Sequence, residues 1–314
     1  MVKIKKLALC GGGFYGYAEV GVLIELENYK EYFDIDEING VSVGSIVASL
    51  YAVGYTANEL GKILFNLDFD LLIRDNKLPY YKLYESFGMY TATRLEEEIE
   101  RLIREKTNIK NCTFSQIQKK LTIISTNLNY QRATLFNKDL TPTMIISKAV
   151  RMSIGYPFII TPVLYEGDYY GDGGEFINYP ITLFDNLEEV LGITVSAYNE
   201  NRNGTLKSRI PINNIYDYIT SLAVTMSRAA YIAQITSEYL DRSIIVNITE
   251  DISSMQFNLN IDQKQFLLRC GINATKEQID KVLNININKE MNETLTEIAN
   301  NLPDLNHSFE IIKK

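Results

Sequence analysis

Three short stretches of this sequence carry residue types and spacings able to do chemistry: Gly11-Gly12-Gly13 with Gly16, Gly40-Val41-Ser42-Val43-Gly44, and Asp172-Gly173-Gly174. The second has the form G-x-S-x-G. Between a strand and a helix this pattern is a nucleophile elbow, in which the glycines permit a sharp turn that presents the serine hydroxyl. The helix that follows would favour negative charge developing at its N-terminus. The first stretch offers backbone N–H groups to an anion of one of two kinds. Gly11, Gly13 and Gly16 satisfy G-x-G-x-x-G, which cradles a pyrophosphate, but the same loop suits the oxyanion of an acyl-transfer intermediate. A dinucleotide site also needs an acidic residue ending the second strand. Asp34 and Asp36 precede that strand as read from the sequence, and the elbow is what ends it.

A serine nucleophile needs a base. The chain has one histidine, His307, in a polar terminal segment, so a Ser-His-Asp triad is not expected and a carboxylate has to take the role. Asp172 is the candidate. Asp172-Gly173 by itself reads equally as the turn of a hairpin, since Asp-Gly is a strong turn signal.

These residues need a scaffold that brings them together. Apolar runs predict strands at Lys5–Cys10, 37–41, Leu121–Leu128, Val190–Ala197 and Ser243–Ile248. Helices are expected around Ala18–Leu26, after Ser42, over Thr141–Met152 and over Tyr216–Tyr239. Capping boxes are read at Thr56-Ala57-Asn58-Glu59, Thr93-Arg94-Leu95-Glu96 and Thr275-Lys276-Glu277-Gln278, each opening a helix. The alternation predicts a layered α/β fold with a mostly parallel sheet. Residues 1–275 are expected to form the catalytic domain, and 276–314 a helical extension and polar tail packed on it. Phe65–Tyr90, rich in Phe, Tyr and Leu, reads either as a lid for apolar substrate or as local core packing.

Composition narrows the partners. Of 314 residues, 46% are hydrophobic and 22% charged, enough to bury a sizeable core. Thirty-one basic against 39 acidic residues give a net charge of −8, which argues against nucleic acid as partner. Cys10, Cys112 and Cys270 form neither a disulfide framework nor a zinc motif, which suits a reducing compartment. The N-terminal apolar run is too short for a signal peptide, and no run is long enough for a transmembrane helix. The expected location is therefore cytoplasmic, with peripheral contact at membranes.

In this order, the glycine loop, G-x-S-x-G and D-G-G resemble the patatin-like phospholipases. The likeness continues through Ser153, Pro157, Pro162, Gly167, Tyr170, Asn178 and Pro180. It is strong over about residues 5–182 and looser to about 275. The resemblance implies a three-layer α/β/α sandwich and a lipid acyl hydrolase of the phospholipase A or lysophospholipase type. It implies Ser42 as nucleophile, Asp172 as general base and the Gly11, Gly12 and Gly13 N–H groups as the oxyanion hole. Gly16, Gly40, Gly44, Gly173 and Gly174 then support the motifs, with no metal or cofactor and with membrane or aggregated lipid as substrate. Two alternatives share the site: an acyltransferase, or a catalytically weak lipid-binding scaffold. One departure stands out. The family usually has Arg or Lys where this chain has Tyr15, placing that residue at the active-site rim without its charge.

Overall fold

Leu7 and Leu9 turn to one side of the first strand and Ala8 and Cys10 to the other, and each pair joins a different buried cluster. A strand apolar on both faces belongs in the middle of a sheet covered on both sides. The computed structural model, which describes residues 3–74, 83–197 and 211–284, has this arrangement.

The chain opens with β1 (Ile4–Leu9), α1 (Gly16–Leu26), β2 (Phe33–Val41) and α2 (Val43–Ala52). A helical run follows in α3 (Ala57–Asn66), α4 (Phe69–Ile73) and α5 (Leu83–Ser86), then β3 (Gly88–Tyr90) and α6 (Thr93–Thr107). Next come β4 (Lys120–Asn127), β5 (Arg132–Phe136), α7 (Ile146–Ser153), β6 (Phe158–Ile160), β7 (Val163–Tyr165) and β8 (Asp168–Asp172). The last described part holds β9 (Val190–Ala197), α8 (Ile215–Gln234), α9 (Ser237–Asp241), β10 (Ser243–Ile248) and α10 (Ile261–Val282).

Eight strands form the main sheet in the order β10-β9-β1-β2-β4-β8-β7, with β5 also paired to β4. The five strands from β10 to β4 are parallel; β8, β7 and β5 are antiparallel. On one face α1 packs against α3, α10 and α2, and α10 also packs on β10. On the other, Tyr179, Ile181 and Phe184 cover Ala8 and Cys10, with Tyr231 of α8 and Tyr239 of α9 packed against them. The result is a three-layer α/β/α sandwich.

Several local expectations change in three dimensions. The Thr56 box is formed: Thr56 Oγ1 accepts the Glu59 N–H at 3.2 Å and Glu59 Oε2 accepts the Thr56 N–H at 2.8 Å. The Thr93 box is not. Ala92 precedes α6 with φ 50° and no side-chain cap, and Thr93 Oγ1 instead bonds Thr91 Oγ1. Thr275 lies inside α10, its hydroxyl donating to Gly271 O; the box that opens this helix is Asn260 with Gln263. The helix read from Thr141 begins at Ile146, because Pro142 O and Met144 O accept the Ser115 and Phe114 N–H groups and Ile145 bridges Thr113, which holds the intervening chain against that loop. Residues 276–282 continue α10 without a break, and residues from 285 onward, including His307, lie outside the described residues.

Candidate active site

The sheet itself brings Ser42 and Asp172 together. β2 runs parallel to β4 and ends with Val41 paired to Ile124. β8 runs antiparallel to β4 and ends with Asp172 paired to Ser125. Because β5 occupies the other edge of β4 over residues 123–127, β2 and β8 share one edge and meet end to end on it. The residue after Val41 and the last residue of β8 are therefore neighbours, although 130 positions separate them in sequence.

At the end of β2 the chain reverses into α2 through Ser42, whose backbone has φ 51° and ψ −129°. For a residue with a Cβ this is a strained conformation, held only where the surroundings enforce it. Two contacts do so. The Ser42 N–H donates to Ser153 Oγ at 2.9 Å, and Ser153 Oγ in turn donates to Ile124 O at 2.5 Å. Gly44 lies so close to the end of β1 that a Cβ there would be 2.5 Å from Cys10 O and 2.7 Å from Leu9 O. A side chain at this position would push α2 off the sheet. Gly40 and Gly16 pack against the same turn, Gly40 against Ala48 and Gly16 against Val43.

Ser42 Oγ donates to Asp172 Oδ2 at 2.7 Å. The other carboxylate oxygen, Oδ1, accepts the Gly174 N–H at 2.8 Å, which fixes the plane of the group. The Asp172 N–H donates to Gly155 O, and its carbonyl accepts Thr126 Oγ1. Gly173 passes hard against Ile124 O, so only a residue without a Cβ fits there. Asp172-Gly173 is therefore not a hairpin tip. The hairpin between β7 and β8 turns at Glu166-Gly167, both with positive φ.

Asp172 is 4% exposed, and burial pushes its carboxyl up to about 6, against the lowering effects of the Ser42 and Gly174 hydrogen bonds. A second carboxyl, Glu175, is pushed up to about 8, first by burial and second by the charge of Asp172. Sequence reading did not single out Glu175; its place three residues after Asp172 was the available signal.

The glycine loop faces Ser42. A Cβ on Gly11 would lie 3.3 Å from Ser42 Cβ, and Asn178 closes on the same glycine and on Gly174. The Gly11 N–H is already engaged, donating to Asn178 O at 2.9 Å. Among the described residues, the Gly12 and Gly13 N–H groups donate to no backbone carbonyl or side chain. Tyr15 follows them, 7% exposed, its phenol donating to Ile252 O at 2.7 Å. It lines the cavity from within the core, with its hydroxyl committed to the main chain.

Ser42, Asp172 and the three loop glycines open on a cavity of about 960 Å³. One side is apolar, with Phe14, Tyr17, Leu64, Phe69, Ile73 and Phe257; another carries Thr194, Ser196, Ser227, Arg228 and Asn247. Phe69 is buried and meets Phe14 and Tyr17 edge to face, so this part of Phe65–Tyr90 is both core and cavity wall. Residues 75–82 of that stretch lie outside the described residues.

The arrangement does not suit a dinucleotide. Asp34 and Asp36 lie inside β2 rather than before it, but they are exposed residues in its first half, far from the elbow end. Among the described residues, no group of His, Cys, Asp and Glu side chains is placed to hold a metal ion, and no helix is long and apolar enough to cross a membrane.

Comparison with known proteins bears on the family and the fold. A family model described as patatin-like phospholipase matches residues 7–185. The chain is 62% identical over 284 residues to the uncharacterized protein R571 of Acanthamoeba polyphaga mimivirus, a match spanning 90% of this chain and 96% of the relative. It is 28% identical over 183 residues to the "Probable lipid hydrolase 463L" of invertebrate iridescent virus 6, spanning 57% of this chain and 62% of that one. Among solved structures, VipD from Legionella pneumophila superposes with a TM-score of 0.56 at 17% identity, covering 88% of this chain and 67% of that protein. At that identity the likeness is one of fold.

Proposed function

The chain belongs to the patatin-like phospholipase family, and from that premise we propose that it hydrolyses carboxylic ester bonds of lipids with Ser42 as nucleophile and Asp172 as general base. The observation that carries the reading is the 2.7 Å hydrogen bond from Ser42 Oγ to Asp172 Oδ2 at the tip of a strained elbow. The serine proton already points at its acceptor, and Gly174 orients that acceptor from its other oxygen.

The reaction runs in two displacements. Ser42 Oγ attacks the ester carbonyl carbon as Asp172 takes its proton, giving a tetrahedral intermediate. Collapse breaks the bond to the leaving alcohol, which regains the proton from Asp172, and leaves an acyl group on Ser42. Water then attacks the acyl carbon, with Asp172 accepting its proton, and the fatty acid departs as Ser42 is reprotonated.

A carboxylate is a weak base for a serine hydroxyl. Raising its pKa to about 6 strengthens it while leaving it mostly ionised at neutral pH. Much of the acceleration then falls to oxyanion stabilisation, where each well-aimed donor contributes about 3 kcal/mol. Gly12 and Gly13 supply those N–H groups. Gly11, whose N–H is spent on Asn178, anchors the loop.

The reaction is of the phospholipase A or lysophospholipase type. A fluorophosphonate probe is expected to modify Ser42 alone, and mass spectrometry of mixed phospholipids should show fatty acid and lysolipid released by the wild type and not by Ser42→Ala. Turnover should persist in EDTA and in His307→Ala, because Asp172 already receives the proton. Adduct found only at another residue would remove the assignment.

A further inference from the structure

The helix that walls the catalytic cavity turns an uncharged side outward. Val224, Ser227, Arg228 and Tyr231 of α8 line the cavity that holds Ser42 and Asp172. On the opposite side Ile215, Tyr218, Leu222, Met226 and Ile232 are between 42% and 60% exposed. Thr225, Ala229 and Ala233 complete that face, and the Thr225 hydroxyl is bonded back to Ser221 O. From Ile215 to Ala233 no exposed position of this face carries a charge.

This chain does not treat its other surface helices so. In α6, nine of the fifteen residues are charged and its core side is apolar, the pattern of a helix facing water. In α8, two of twenty are charged, Asp217 and Arg228. The same helix is tied to the segment that carries Asp172. Phe176, two residues beyond Gly174, is 44% exposed, and its carbonyl accepts Gln234 Nε2 at the C-terminal end of α8.

We propose that the outer face of α8 is a docking surface for a zwitterionic lipid bilayer, an inference that rests on the lipid-ester reading of the site. Three features select this occupant. The face is a straight apolar stripe about 30 Å long at 1.5 Å per residue, suited to lying in the headgroup plane with its side chains in the acyl boundary. It shares one helix with the cavity that receives lipid, so docking there sets the bilayer against the outer side of that cavity's wall. It also offers no Lys on a chain of net charge −8, which disfavours an anionic surface and makes the contact independent of salt.

The test uses the full chain with phosphatidylcholine vesicles, comparing wild type, Ser42→Ala and the double variant Leu222→Asp/Met226→Asp. Wild type and Ser42→Ala are expected to float with vesicles equally well at low and high salt. The double variant should lose vesicle binding and vesicle hydrolysis by about ten-fold or more, while its turnover of a soluble short-chain ester stays at the wild-type rate. Should it lose soluble turnover as well, Ile215→Ser/Tyr218→Ser at the other end of the stripe gives the same comparison. In the free protein Met226 should be open to hydroxyl-radical oxidation and become protected by vesicles.

Vesicle binding by Ser42→Ala without any hydrolysis by wild type would overturn the catalytic reading and leave the docking surface standing. Equal vesicle binding by wild type and both variants would overturn the docking surface. So would a wild-type dimer that the variants dissolve, which would make the occupant a second copy, or Met226 protected in the free monomer, which would make it the chain itself.

Discussion

Ser153 holds the backbone of Ser42. Its buried hydroxyl accepts the Ser42 N–H and donates to Ile124 O, tying the elbow to the strand on which Asp172 also rests. Ser153→Ala leaves a donor and an acceptor unpaired in the core, which costs about 1–3 kcal/mol of stability. It also frees Ser42 to relax from its strained conformation. The expected result is a kcat lower by about ten- to a hundred-fold, or about 1.4–2.7 kcal/mol of barrier, with KM little changed. Steady-state kinetics on a soluble ester, beside a thermal melt, separates the two effects; a lower melting temperature with unchanged kcat would make Ser153 merely structural.

The raised pKa of Asp172 sets a pH dependence of opposite sign for activity and stability. As the proposed base it has to be ionised, so kcat/KM should rise with pH through about 6 and then level off. The folded carboxyl holds its proton more tightly than the unfolded one at 3.8. Its stabilising contribution is therefore full below about 4 and lost as pH rises through about 6. Asp172→Asn removes that loss and should match or exceed the wild type in denaturant midpoint at neutral pH, while turnover falls by about a thousand-fold. An active Asp172→Asn would rule out the base.

Glu175 adds a second limb. Held neutral until about pH 8, it then places a negative charge beside Asp172, the proposed base. Wild-type activity should decline above that pH. Glu175→Gln should keep the rise near 6 and lose the decline, as pH–rate profiles of the two proteins on one soluble substrate would show. A decline that persists in Glu175→Gln would assign it to another group.

Tyr15 is expected to contribute to stability and little to chemistry. Tyr15→Phe removes the bond to Ile252 O and should lower stability by about 1–2 kcal/mol, with kcat within about three-fold of wild type. A large loss of kcat without loss of stability would return the phenol to the reacting atoms.

Much of the site was legible because its motifs are local. G-x-S-x-G names Ser42 through a turn that spans five residues, and the lack of a histidine in the body of the chain directs attention to a carboxylate. What was not legible depends on long-range contact. Asp172-Gly173 resembles a hairpin tip until β8 is seen to end on β4, where Gly173 is pressed against Ile124 O. Gly11 looks like its two neighbours until Asn178, distant in sequence, takes its N–H. Tyr15, expected at the rim, does line the cavity, but the bond of its hydroxyl to Ile252 O, 237 positions away, has no signal in the sequence. The Thr275 box satisfies a pattern that the Asn260 box, fifteen residues earlier, had already used to start the same helix.

Registering β2 and β8 on a common strand has a consequence for how such a chain can diversify. The spacing of the dyad depends on two strand registers and a hydroxyl bridge, and not on the route the chain takes between them. Within the 130 positions from Ser42 to Asp172, the run from α3 to α6 supplies Leu64, Phe69, Ile73 and Leu95 to the apolar wall of the cavity. Exchange of residues in that run is expected to change which acyl chains fit without moving Ser42 from Asp172. Acyl-chain preference and proton transfer are thus expected to vary independently of each other.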